Sequence, residues 1–134
     1  MNDTLTLARA LDFVSPGISR ALDDLSSESL DELDFGVIGI DASGEVCRYN
    51  RFESECAGLS TASTLGRPLF TVVAPCMNNY LVAQRFEDAA ADGSELDATI
   101  DYVLTLRMRP VKVRLRLLAA PGAAHRYVLV QRQV

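Results

Sequence analysis

Histidine is almost missing from this sequence: His125 stands alone among 134 residues. Without partner imidazoles, a classical metal centre is not indicated. Cysteine is sparse, with Cys47, Cys56 and Cys76 only. The count is odd and no CxxC spacing occurs, so neither a disulfide framework nor a zinc site is suggested. Free thiols fit a reducing compartment. No apolar run approaches the roughly 20 residues needed to cross a bilayer. The N-terminus places Asp3 before any basic residue and has no apolar signal core, so the expected location is the cytoplasm. No nucleophile–base pair is visible, which disfavours an enzyme. Nor is there a basic excess. The net charge is −5, which argues against nucleic acid or an anionic membrane as partner.

What remains is enough for one folded domain. Apolar residues make up 49% of the chain and charged residues 23%, a balance that supports a core and excludes global disorder. Charge is segregated by position. Residues 1–34 carry Asp3, Asp12, Asp23, Asp24, Glu28, Asp31, Glu32 and Asp34 against Arg9 and Arg20. Residues 107–134 carry Arg107, Arg109, Lys112, Arg114, Arg116, Arg126 and Arg132 and no acid. The two ends are either separate solvated faces or surfaces that attract each other.

Residues 4–33 read as acidic, helical and interrupted at Ser15-Pro16-Gly17. Phe35 to Ile40 reads as a buried strand. Asp41-Ala42-Ser43-Gly44 marks a turn, and Glu45 to Tyr49 the returning strand. Asn50 with Glu53 has the spacing of a capping box opening a helix over residues 51–59. Gly66, Pro68 and Pro75 restrict the next stretch to short helices. Asn79 is the expected N-cap of a longer helix through Ala91. Residues 96–107 read as a strand. Residues 111–118 alternate Val111, Val113, Leu115 and Leu117 with Lys112, Arg114 and Arg116, the mark of a strand covered on one face. Tyr127 to Val130 closes the sheet. The order predicts an α+β domain with helices on one face of an antiparallel sheet.

Four motifs coincide in this order: Phe35-Gly36-Val37-Ile38; Arg48-Tyr49-Asn50 followed by Glu53; Val73-Ala74-Pro75-Cys76; and Met108-Arg109-Pro110-Val111-Lys112-Val113. Together they resemble the photoactive yellow protein family over roughly residues 30–134. The resemblance implies a PAS fold: a central five-stranded antiparallel sheet, short helices on one face, and an N-terminal helical cap (residues 1–30) ahead of the sensor domain (residues 31–134). It implies a blue-light photoreceptor whose cofactor, 4-hydroxycinnamic acid (p-coumaric acid), is held as a covalent thioester on Cys76.

Tyr49 and Glu53 match the tyrosine and the protonated glutamic acid that hold the family's phenolate oxygen. Burial can keep such a carboxyl neutral and donating. Light would isomerise the cinnamoyl double bond, Glu53 would give up its proton, and a bare carboxylate in an apolar pocket would drive partial unfolding. Helix N–H groups near Cys76 would favour its thiolate. Ile38, Ala57, Leu59, Leu69, Val73, Ala74, Pro75, Leu104 and Met108 complete the implied pocket. Ala57 stands where the family commonly has threonine, and Leu59 where it has arginine. Leu69, Leu104 and Leu106 replace aromatic residues. Met108 matches a methionine linked to thermal recovery. Between Gly93 and Met108 the chain has one extra residue, which affects the alignment of Tyr102.

Read from the residues alone, Cys76 could equally be a structural thiol, Tyr49 a strand-end aromatic and Glu53 a capping residue. A PAS module binding another small ligand, or none, therefore stays open. The expected partners are a downstream signalling protein of unknown identity and a second copy of the chain. The acidic N-terminus is expected to lie on the sheet face bearing Lys112, Arg114 and Arg116.

Overall fold

A computed structural model describes residues 8–105 and 109–132. Five antiparallel strands form one sheet: β1 (Gly36–Ile40), β2 (Val46–Tyr49), β3 (Leu96–Leu104), β4 (Val111–Ala119) and β5 (Arg126–Arg132). Their spatial order is β2-β1-β5-β4-β3, so β1 and β5, distant in sequence, lie side by side at the centre. Helices α1 (Ile18–Asp24) and α2 (Ser27–Leu30) precede the sheet. Between β2 and β3 come α3 (Arg51–Ala57), α4 (Thr61–Thr64), a π-helical turn (Leu69–Val73), a 3-10 turn (Pro75–Met77) and α5 (Ala83–Asp92).

Local chemistry accounts for most of these boundaries. The Asp41 carboxylate accepts bonds from the backbone N–H groups of Ser43 and Glu45, and Gly44 takes the positive φ that the β1–β2 turn requires. Asn50 caps α3, accepting the Glu53 N–H, and Gly58 ends that helix in the left-handed region.

The helix expected from Asn79 starts later, at Ala83. Asn79 is engaged in a turn instead. Its side-chain oxygen accepts from Leu81 and Val82 N–H, while its amide donates to Cys76 O and Tyr102 Oη.

Two apolar clusters sandwich the sheet. Alternation along β1 sends Ile38 and Ile40 to the side of α3–α5, and Val37 to the other side with Phe35. Every residue of β1 is therefore buried. The second cluster joins Phe13, Ile18, Leu22, Leu25 and Leu30 of the N-terminal segment to Leu118, Tyr127 and Leu129 of the sheet. This changes the reading of β4. Its outer face is open near Lys112 and Arg114, but Arg116 and Leu118 are buried because the cap covers them.

The cap is not held as an acidic surface on a basic strand. Arg116 donates to the carbonyls of Phe13 and Ser15, and its carboxylate partner is Asp97 of β3. Arg114 lies 3.8 Å from Asp101, also on β3. Arg48 of β2 donates to Leu22 O and Leu25 O, closing the inner end of α1. Among the described cap acids, Asp23 bonds to the sheet side, 2.9 Å from His125 Nδ1 and 2.6 Å from the Tyr127 hydroxyl. Each large apolar side chain buried here contributes about 1.5–3 kcal/mol. An exposed ion pair contributes about 0–1 kcal/mol, so packing dominates.

Candidate functional site

The inner face of the sheet assembles the site. Among the described residues Glu53 is the buried acid, with its side chain only 2% exposed. It reaches this position because α3 starts directly after β2 and packs over β1 at Gly36. A side chain there is excluded: a Cβ added to Gly36 would sit 2.1 Å from Glu53 Oε1.

Asn50 fixes the start of α3 from inside the fold. Its oxygen accepts from Val37 N–H as well as Glu53 N–H, and its amide donates to Leu30 O and Phe35 O. One side chain thus ties α2, β1 and α3 together with all its hydrogen-bonding capacity used. The reciprocal half of the expected capping box does not form. The Asn50 N–H donates to Val37 O, and the Glu53 carboxyl turns to Arg132.

Arg132 donates from Nη1 to Glu53 Oε1 at 2.6 Å and from Nη2 to Oε2 at 3.1 Å. Both carboxyl oxygens accept, the fork arrangement of an ionised carboxylate on a guanidinium. Burial pushes the Glu53 carboxyl above its ordinary range, and the bonds and charge of Arg132 oppose that rise. The contact seen in the chain alone is thus with Arg132, where the family resemblance implies a neutral Glu53 donating to a phenolate.

Tyr49 lies close by on β2 and is buried. Its hydroxyl is pushed up in pKa by burial first and by Glu53 second, with Arg132 opposing. No buried side-chain nitrogen or oxygen among the described residues is left without a partner, so this hydroxyl is not an orphaned donor.

Cys76 sits in the 3-10 turn, partly exposed, packed against the cluster that contains Tyr49. Its carbonyl accepts from the Tyr102 hydroxyl at 2.5 Å, which ties the turn to β3. Among the described residues the only helix N-terminus beside the thiol is that of the short 3-10 turn, Pro75–Met77, since α5 begins seven residues later at Ala83. Ile38, Leu69, Val73, Ala74 and Leu104 belong to the same buried cluster, and Leu59 packs against it. Ala57 is buried at the end of α3, whereas Pro75 is exposed on the rim. Met108 and Leu106 lie outside the described residues. Two clefts flank the Ala120–Ala124 turn, one toward α5 and one toward α1, and neither is lined by Cys76, Tyr49 or Glu53.

Arg132 and Gly36 are the site residues that pattern reading did not single out. The signal for Arg132 is its phase. Val128 and Val130 point to the inner cluster, so a charged residue two positions on continues an inward-facing series and requires a buried partner.

No protein-family model matches the chain. Photoactive yellow protein of Halochromatium salexigens is 33% identical over 120 residues, covering 90% of this chain and 95% of that protein. The chain belongs to the photoactive yellow protein family. Photoactive yellow protein of Rhodothalassium salexigens is 31% identical over 120 residues, with the same coverage. The photoactive yellow protein domain of the sensor histidine kinase Ppr of Rhodospirillum centenum is 35% identical. It superposes with a TM-score of 0.78, covering 85% of this chain and 99% of that domain. A more distant likeness, the PAS domain of the Cronobacter turicensis quorum-sensing receptor RpfR, has 16% identity and a TM-score of 0.59. It shares the fold alone. The five-stranded sheet with its helical face is a PAS fold, and photoactive yellow proteins are chromophore-bearing, signal-transducing photoreceptors. Among the described residues no helix is long and apolar enough to cross a membrane.

Proposed function

We propose that this domain is a blue-light photoreceptor that carries a 4-hydroxycinnamoyl group as a thioester on Cys76, with Tyr49 and Glu53 holding the phenolic oxygen. The observation that carries the reading is the placing of Tyr49 beside the buried Glu53 carboxyl on the inner face of the sheet. Tyr49 belongs to the buried cluster on which the part-buried Cys76 packs. A ring oxygen delivered to this pair would meet one hydroxyl donor and one titratable carboxyl, so the set suits a phenol-bearing group.

Attachment is an acyl transfer. The Cys76 sulfur bonds to the carboxyl carbon of an activated cinnamoyl ester or thioester, whose leaving group departs with the thiol proton. When bound, the group supplies a double bond that light isomerises. The chain's own residues do the rest. Tyr49 donates to the ring oxygen, Glu53 exchanges a proton with it, and Leu69, Leu104 and Val73 keep water from the exchange. A bond to an ionised ring oxygen contributes about 1.5–3 kcal/mol, enough to bias its protonation state. The signal would pass to a downstream signalling protein. That the relative from Rhodospirillum is a domain of a sensor histidine kinase favours a partner of that kind.

The test is to mix purified protein with activated 4-hydroxycinnamic acid and record mass and visible absorption. The expected result is one covalent adduct, absent in Cys76→Ser, with a red-shifted band that bleaches in blue light. Folded protein that forms no adduct would favour the second reading, a PAS module for another small ligand. The aliphatic lining by Leu59, Leu69 and Leu104 is what favours that alternative.

A further inference from the structure

Arg132 places a positive charge on the buried carboxyl that the family reading assigns to the phenolic oxygen. Its side chain is 17% exposed, against 2% for its partner Glu53. We propose that Arg132 is the resident counter-ion of this end of the site, so that Tyr49, Glu53 and Arg132 together hold one negative charge at a time. This rests on the chromophore reading above and adds to it.

Each element around the Glu53 carboxyl contributes to the balance. From β5 comes Arg132, the one cation within bonding distance among the described residues. From β2 comes the Tyr49 hydroxyl, and from the next turn of α3 the Cys56 thiol, both neutral when protonated. From β1 comes Gly36, with no side chain at all. A second anion in this group would have no second cation. Like charges held this close, away from water, do not both stay ionised.

Proton bookkeeping follows. In the free chain Glu53 is the carboxylate on Arg132. With a phenol seated against Tyr49, Glu53 would take its proton, the phenolic O–H bond breaking as a carboxyl O–H bond forms, and Arg132 would balance the ring oxygen. Once that oxygen had left, Glu53 would have given the proton back and closed again on Arg132. The ionised carboxylate thus regains a partner, which reduces the drive to unfold and prolongs the bleached state.

The experiment uses the full chain with carbonyl-carbon-labelled glutamate, as wild type, Arg132→Gln and Arg132→Lys. In apoprotein, Glu53 is expected to titrate at higher pH in Arg132→Gln than in wild type. Removal of an adjacent opposite charge predicts a rise of about 1–3 pH units. Arg132→Lys, which keeps the charge, is expected to stay near wild type and covers the case in which the glutamine variant does not fold. Equal titration in wild type and a folded Arg132→Gln overturns the proposal, as does an Arg132→Lys that titrates like a variant without charge. In loaded protein, Arg132→Gln is expected to shorten the bleached state by about tenfold or more, the equivalent of one pH unit of lost carboxylate stabilisation. Recovery unchanged in Arg132→Gln overturns the counter-ion role. A folded wild type that accepts no chromophore sinks the photoreceptor reading and the role toward a phenol with it. The apoprotein titration would still report whether Arg132 sets the charge of Glu53, so the two failures are distinguishable.

Discussion

Gly36→Ala is a one-carbon perturbation aimed at the centre of the site. The added Cβ would lie 2.1 Å from Glu53 Oε1, 3.1 Å from its Cδ and 3.2 Å from its Cβ. A free side chain could swing aside, but this one is buried and held through both oxygens by Arg132. Relief requires either a shift of α3 or a broken fork. Overpacking of this kind costs about 1–3 kcal/mol. Alanine gains back about 0.5–1 kcal/mol in a strand through lower unfolded-state entropy. The net expectation is a loss of about 1–2 kcal/mol, or several degrees in Tm for a domain of this size. The assay is urea unfolding of a double-mutant cycle with Glu53→Ala. In the Glu53→Ala background the clash partner is gone, and Gly36→Ala should become neutral or mildly stabilising. A penalty of the same size in both backgrounds would refute the assignment of Gly36 as the slot for the carboxyl.

Asn50→Ala removes the partners of Val37 N–H, Glu53 N–H, Leu30 O and Phe35 O at once. With about 1–3 kcal/mol per buried group left unpaired, the expected loss exceeds about 3 kcal/mol in denaturant unfolding, and a loss below about 1 kcal/mol would contradict the hub. Acid should loosen the cap. The hydrogen bond from Arg116 holds Asp97 below its ordinary value of 3.8, so this stabilisation is complete above that value. It fades as pH falls through the lower folded value, and Asp97→Asn should flatten the acid limb of cap hydrogen exchange at residues 13–15. Phe13→Ala, which empties a fully buried cap position against Phe35, should cost about 3–5 kcal/mol. Added salt should change cap exchange little, and strong salt sensitivity would restore charge as the cap's main attachment.

Much of the fold was legible because its determinants are local. Alternation of Val113, Leu115 and Leu117 marks a strand whatever lies beyond it. The Asp41–Gly44 turn and the Asn50 cap follow from side chains bonding their own neighbourhood. The cap's mode of attachment was not legible. Opposite net charge suggested Lys112, Arg114 and Arg116 as its anchors, yet only Arg116 reaches it, and through backbone carbonyls that no pattern of charged residues displays. The start of α5 was misplaced: the Asn79 oxygen does accept from Leu81 and Val82 N–H, but those bonds close a turn, and the helix starts only at Ala83.

The sequence by itself determined the strand alternation, the turn and cap chemistry, and the set of residues, Tyr49, Glu53 and Cys76, that carries the family likeness. Only the tertiary structure decided that β1 and β5 pair centrally, which brings residue 132 beside residue 53 and turns a helix-start glutamate into half of a buried ion pair. Long-range strand pairing sets which side chains share a low-dielectric space, and in that space a partner's charge, not the residue's own type, decides whether a carboxyl keeps its proton.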